Sequence, residues 1–157
     1  TMSEQPGTTT SPESPALKLW VVLARAYQAI ERQAAAHTAE HDLTLAEFGV
    51  LEALYHLGPL SLGDLADKLL VTGGNVTYVM DRLEEHGWVV RERSGEDRRV
   101  VRAKLTQAGR EVIAEVFPGH AEFIRELVAH LSAAEQDELR VLLKRLGKGM
   151  ARGNPGF

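Results

Sequence analysis

The sequence predicts a mainly α fold with one small β-hairpin, and three observations carry that reading. Apolar residues recur at helical spacing from about residue 14 onward. One stretch, Trp88 to Leu105, breaks the period: its two ends are β-branched and basic, and Ser94-Gly95-Glu96-Asp97 supplies turn chemistry between them. Residues suited to capping helices (Ser14, Thr44, Ser61, Thr72, Thr106 and Ser132) divide the apolar pattern into separate pieces.

The elements follow in order. Residues 1–13 are rich in Thr, Ser, Pro and Gly and are expected to be a disordered tail. Ser14-Pro15 opens the first helix, with Trp20, Leu23, Ala24, Tyr27, Ile30 and Ala34 on one face as far as about His41. Thr44 and Glu47 form a capping box for the second helix, whose inward face holds Phe48, Leu51, Leu54 and Tyr55 until Gly58-Pro59. Ser61 starts a short third helix with Leu62, Leu65, Ala66 and Leu69 inward. Thr72 caps a fourth, where Val76, Val79, Met80 and Leu83 give the i, i+3, i+4, i+7 pattern and Gly87 is the stop. After the hairpin, Thr106 caps a fifth helix to about Leu131, with a bend expected near Pro118-Gly119. Ser132 and Glu135 box the last helix, which turns Leu139, Leu142, Leu143 and Leu146 inward and ends at Gly147. One domain over 14–148 is expected, with a lobe at 44–105, flanking helices at 14–41 and 106–148, and a loose tail over 149–157.

Composition narrows the function. A chain with 44% hydrophobic and 25% charged residues has the balance of a soluble globular protein. No apolar run nears the roughly 18 residues of a membrane span, and residues 1–13 lack the basic start and apolar segment of a signal peptide. A cytoplasmic location is expected. There is no cysteine, which removes disulfides, cysteine-bound zinc, thiol catalysis and thiol redox sensing. No phosphate loop or paired-glycine fingerprint is present, so no cofactor is expected. Histidines and carboxylates occur, but their spacing sets up no nucleophile, base and acid, and an enzyme is not expected.

The order of elements points elsewhere. Two short helices around a tight turn, followed directly by a hairpin, make a winged helix-turn-helix, and such motifs place the second helix in the DNA major groove. The fourth helix suits that task. With its apolar face inward, Gly73, Gly74, Asn75, Thr77, Tyr78 and Arg82 lie on the other side, near its start. Asn can bond adenine in pairs, Arg can do so with guanine, and a Thr methyl can meet thymine. Glycines permit close approach to the sugar-phosphate backbone. From Arg91 to Lys104, six basic residues (Arg91, Arg93, Arg98, Arg99, Arg102, Lys104) face three acidic ones (Glu92, Glu96, Asp97). That segment nets +3, which leaves −7 for the rest of a chain at −4. A basic hairpin on an acidic protein is the electrostatic footprint of a DNA contact. A solvated hairpin would have the same composition, and the preceding helix pair is what favours DNA.

Asp97-Arg98-Arg99, followed by Leu105-Thr106 and Gly109, resembles the wing signature of the multiple antibiotic resistance regulator (MarR) family. Val71-Thr72-Gly73-Gly74-Asn75-Val76-Thr77 and Asp81-Arg82-Leu83-Glu84-Glu85-His86-Gly87 resemble its recognition helix, and the similarity runs from about residue 17 to 148. The resemblance implies a triangular homodimer in which the first, fifth and sixth helices interlock and two recognition helices enter adjacent major grooves. It also implies that Asp97 orients Arg99 for the minor groove and that Arg98 meets a phosphate. The physical reading supports dimerisation independently. The outer helices carry apolar stripes that a small winged helix cannot bury alone, and a fifth helix of about 24 residues would reach roughly 36 Å. Partners are therefore duplex operator DNA with an inverted repeat and a second copy of the chain, without a membrane.

Many members of that family release DNA on binding a small phenolic or anionic ligand between dimer helices and DNA-binding lobe. Trp20, Tyr27, His37, His41 and Phe48 are the candidates to line such a site, although aromatics at helical spacing are more often core. Family members that sense hydroperoxides use a cysteine that this chain lacks. His37 and His41 share a helical face with Glu40 adjacent, a spacing that can hold zinc, but paired histidines near a helix end are more often surface residues. His56, His86, His120 and His130 add no ligand spacing, and no metal site is expected. The expected function is a ligand-responsive repressor. The alternatives are a winged-helix protein-interaction module without DNA binding and a zinc-responsive regulator.

Overall fold

The computed structural model describes residues 13–69 and 73–150. Six helices and a small sheet follow one another as α1 (Pro15–Ala39), α2 (Leu45–Leu57), β1 (Leu60–Ser61), α3 (Leu62–Leu69), α4 (Gly73–Glu85), β2 (Val89–Arg93), β3 (Val101–Leu105), α5 (Gln107–Leu127) and α6 (Ala133–Met150). The fold is a winged helix-turn-helix between flanking helices.

Local chemistry sets the boundaries. The Ser14 hydroxyl accepts from the Leu17 amide at 3.3 Å, and Pro15 fills the first helical position of α1. Asp42 takes a left-handed backbone (φ 59°), which turns the chain from α1 into α2. In the α2 capping box the Thr44 hydroxyl accepts from the Glu47 amide at 3.1 Å, and the Glu47 carboxylate accepts from the Thr44 amide at 3.2 Å. Gly58 closes α2 and Gly87 follows α4, both at positive φ (77° and 75°), where a side chain would be strained.

The core centres on α2. Phe48, Val50, Leu51 and Leu54 are almost wholly removed from solvent. Leu65 of α3, Val76, Met80 and Leu83 of α4, and Ile113 of α5 close around them. Each such side chain contributes roughly 1.5–3 kcal/mol by burial. The wing lies against this cluster through Val89, Ala103 and Leu105. Its register pairs Val89 with Leu105, Arg91 with Ala103 and Arg93 with Val101.

The join between wing and α5 is tight. The Thr106 hydroxyl donates to the Gly87 carbonyl at 2.6 Å and accepts from the Gly109 amide at 3.0 Å. The Thr106 amide donates to the Trp88 carbonyl at 3.0 Å. A Cβ on Gly109 would sit 2.0 Å from that carbonyl oxygen, so only glycine fits the approach. The spacing of Thr106 and Gly109 in the sequence thus reflects one joint.

Several expectations need correction. The hairpin belongs to a three-stranded antiparallel sheet in the order β1-β3-β2, because Leu60 and Ser61 pair with Ala103 and Arg102. A two-residue strand is too short to show a period of two, and Gly58-Pro59 masks it as a loop. α1 stops at Ala39 rather than near His41, and α5 stops at Leu127 rather than near Leu131. α5 has 21 residues and continues through Pro118 as one helix. α6 passes through Gly147, which is buried, and is helical as far as Met150, the last residue described. A glycine in a helix costs only about 1 kcal/mol, so packing overrides it as a stop signal. Thr72, the expected cap of α4, lies outside the described residues, as do residues 1–12 and 151–157.

The outer helices present their apolar faces to solvent in the single chain. Trp20 is 66% exposed and Tyr27 62%, and Ile30, Leu139, Leu142 and Leu143 are exposed too. Among the described residues of α6 only Gly147 is buried.

Candidate nucleic-acid interface

The interface is built from α4 and the wing. Val76, Val79, Met80 and Leu83 lie in the core, which orients the helix about its own axis. Asn75, Thr77, Tyr78 and Arg82 are then exposed on the opposite side. Gly73 and Gly74 form the first turn. Of the expected contact residues of α4, Asn75, Thr77, Tyr78 and Arg82 are therefore all exposed, and Thr72 lies outside the described residues.

The wing tip has its own order. The Asp97 carboxylate accepts from the Arg99 amide at 3.0 Å, from Nε at 3.2 Å and from Nη2 at 3.3 Å. These bonds hold the Asp97 carboxyl below the usual carboxylate range. The Arg99 side chain is 91% exposed, so its charge is oriented but not buried. The Arg98 side chain is exposed, while its carbonyl accepts from Arg93 Nη1 at 2.8 Å, which closes the loop. The Val100 amide donates to the Asp97 carbonyl at 3.0 Å and the Ser94 amide to the Val100 carbonyl at 2.9 Å. Such a tip is closed by its own hydrogen bonds and presents a cation at its end.

Sequence reasoning counted Arg91 with the basic face of the wing. The structure turns it inward, to Asp81 at 2.8 Å and Glu84 at 3.0 Å on α4. Strand alternation carried that signal, since Arg91 shares its face with the apolar Val89.

The candidate effector residues divide. Tyr27 and Phe48 line a cleft of about 430 Å³ between α1, α2, α3 and α5, together with Glu31, Glu52, Lys68 and His120. Burial pushes the Glu52 carboxyl up. His37 stacks on Phe123 at 4.5 Å and stands 5.9 Å from His120, and His41 lies 5.7 Å from His37. Phe48 is a core residue whose ring meets His120 at 4.3 Å. Trp20, His37 and His41 do not line the cleft. His120, Glu52 and Phe123 were missed because they meet the α1 residues only in three dimensions. The Nδ1 atoms of His37 and His120 are buried without a hydrogen-bond partner among the described residues. Burial and the neighbouring His37 push the His120 pKa down. Among the described residues there is no group of three or more His, Cys, Asp or Glu placed to hold a metal, and no helix is long and apolar enough to cross a membrane.

Comparison with known proteins identifies this geometry. A MarR family profile matches residues 41–100. The HTH-type transcriptional regulator MhqR of Bacillus subtilis (strain 168) is 41% identical over 131 residues, covering 83% of this chain and 90% of that protein. A MarR mutant from E. coli complexed with operator DNA superposes with a TM-score of 0.75 at 28% identity, covering 83% of this chain and 94% of that one. Bordetella bronchiseptica BpsR, solved to explain regulation of its DNA binding by 6-hydroxynicotinic acid, gives a TM-score of 0.76 at 27% identity, covering 90% and 98%. Exposed polar helix, ordered wing arginine, profile and relatives agree: the chain belongs to the MarR family, and it is a DNA-binding transcriptional regulator, not an enzyme.

Proposed function

We propose that the protein is a homodimeric repressor whose two α4 helices enter adjacent major grooves of an inverted-repeat operator while Arg99 of each wing enters the minor groove. The observation that carries the reading is the pairing of Asp97 with a 91% exposed Arg99, on the same chain as an α4 whose polar residues are exposed to solvent. A narrow minor groove concentrates negative potential and attracts a held-out arginine. Asn75, Thr77, Tyr78 and Arg82 read base edges, Gly73 and Gly74 allow close approach to the backbone, and Arg98 meets a phosphate. Dimerisation is supported by the exposed apolar faces of α1 and α6, whose ends share a groove lined by Leu19, Leu139, Leu142 and Met150. A cytoplasmic location goes with that role.

We further propose that a small aromatic or anionic effector releases the DNA. The cleft beside Tyr27, Phe48 and His120 suits a ring, since two of its walls are aromatic. It joins α1 and α5 to the DNA-binding elements, so occupancy there would change the spacing of the two α4 helices.

The test is binding to the DNA upstream of its own gene as salt is raised from about 50 to about 200 mM, where several phosphate contacts should cost on the order of 10³ or more in affinity. A flat dependence would instead favour a protein-interaction module. A panel of small aromatic acids in the same titration tests release, and no effect from any of them counts against the effector.

A further inference from the structure

The hairpin charge is not all turned toward DNA. Val89, Arg91 and Arg93 share one face of β2, and they pair with Leu105, Ala103 and Val101. Val89, Ala103 and Leu105 on this face are buried. Arg91 thus stands at an inward position, and only 25% of its side chain is exposed. Its guanidinium reaches across to α4. Nη2 donates to Asp81 Oδ1 at 2.8 Å and to the Thr77 carbonyl at 3.2 Å, and Nη1 lies 3.0 Å from Glu84 Oε2. Positions 77, 81 and 84 follow the i, i+4, i+7 line along one side of α4. Arg102 and Lys104, at the alternate positions of β3, are exposed instead.

We infer that Arg91 is a positioning residue for DNA recognition, which locks the wing to α4 and does not itself touch a phosphate. The inference rests on the reading of α4 and the wing as the DNA-contacting surface. Helix and wing enter different grooves, so both bind at full strength only if their separation is already set. A loose wing must be ordered on binding, and that ordering is taken from the affinity. The same guanidinium offsets one of the two negative charges that Asp81 and Glu84 place on α4. A planar fork is needed: it can serve two carboxylates and a carbonyl together, whereas a lysine ammonium acts as a point charge on a flexible stem. One isolated surface pair would add little. This one has three acceptors, and the guanidinium that joins them is three-quarters covered, although Asp81 itself is exposed.

Arg91→Lys separates the roles, because a phosphate contact survives the change and a three-point clamp does not. The DNA would be a duplex selected by the wild-type protein from a randomised pool, and affinity would be followed against salt. Arg91→Lys and Arg91→Gln should both weaken binding about tenfold at every salt concentration, with the salt slope of wild type. Arg99→Ala should lower the slope by about one unit. Amide exchange across residues 89–93 in the DNA-free protein should quicken in both Arg91 variants, with melts confirming that each is folded. Wild-type affinity for Arg91→Lys, or a slope lowered by about one unit in Arg91→Gln, would overturn the inference. If wild type selected no duplex, the DNA reading itself would fall. The exchange comparison would still judge the clamp, and unchanged exchange in Arg91→Lys would overturn it.

Discussion

Gly109→Ala adds one methyl at the joint between wing and α5. The new Cβ would lie 2.0 Å from the Trp88 carbonyl oxygen, 2.8 Å from its carbonyl carbon and 3.1 Å from its Cα. Carbon–oxygen contacts normally close to about 3.3 Å, so the two segments must part by roughly 1.3 Å. The obstructing atoms are backbone, and no rotamer change relieves them. Parting strains the Thr106 amide bond to Trp88 (3.0 Å) and the Thr106 hydroxyl bond to Gly87 (2.6 Å). Each is worth about 0.5–1.5 kcal/mol net, and overpacking costs about 1–3 kcal/mol. Alanine recovers about 1 kcal/mol of helix propensity. The balance is a loss of about 2 kcal/mol, or about 4–8 °C in Tm for a chain of this size. Thermal melts by circular dichroism or calorimetry read it directly. Because Trp88 leads into β2, DNA affinity should fall as well. A variant that melts at or above the wild-type temperature, as propensity alone would give, would refute the reasoning.

Leu142→Glu tests the outer helices: a charge buried at a dimer interface should weaken association by about 3 kcal/mol, or about a hundredfold, in sedimentation equilibrium, and unchanged association would exclude Leu142 from the interface. His120 offers a pH test. Its folded pKa is held below the ordinary 6.5 by burial and by His37, so the unfolded chain takes up the proton first. Its contribution to stability is full above that ordinary value and is lost as pH falls through the lowered one. His120→Gln should therefore lose less Tm than wild type between pH 7.5 and pH 5, and equal losses would remove His120 as the cause. Asp97→Ala should weaken operator binding less than Arg99→Ala, because it frees the arginine side chain without removing it; the reverse order in a fluorescence titration would deny Asp97 an orienting role.

The parts of this fold legible in the sequence are those governed by local rules. The Thr44–Glu47 box, the Gly58 and Gly87 stops and the inward face of α4 are each set within a few residues, and each appears in the structure. The pairing of Asp97 with Arg99, which the family resemblance implies, is present as well. What was hidden depends on distant segments. β1 exists only because β3 offers it partners 41 or more residues away, at Ala103 and Arg102. Gly147 reads as a stop but is buried within α6. Arg91 counted as wing charge until its partners on α4 were in place, and its helix partners lie at Asp81 and Glu84, across the turn at Gly87. The cleft needed His120 to meet Phe48 from another helix, and no spacing along the chain encodes that encounter.

The central claim is that α4 reads bases while Arg99 reads groove shape. A binding selection on randomised duplexes, run for wild type, Asn75→Ala, Thr77→Ala and Arg99→Ala with melts as controls, tests it most directly. The two α4 variants should lose discrimination worth about 1–3 kcal/mol at particular base positions of each half-site. Arg99→Ala should bind all sequences more weakly while keeping the wild-type base preferences. Wild-type preferences at every position in both α4 variants, or wild-type affinity for Arg99→Ala, would contradict the account.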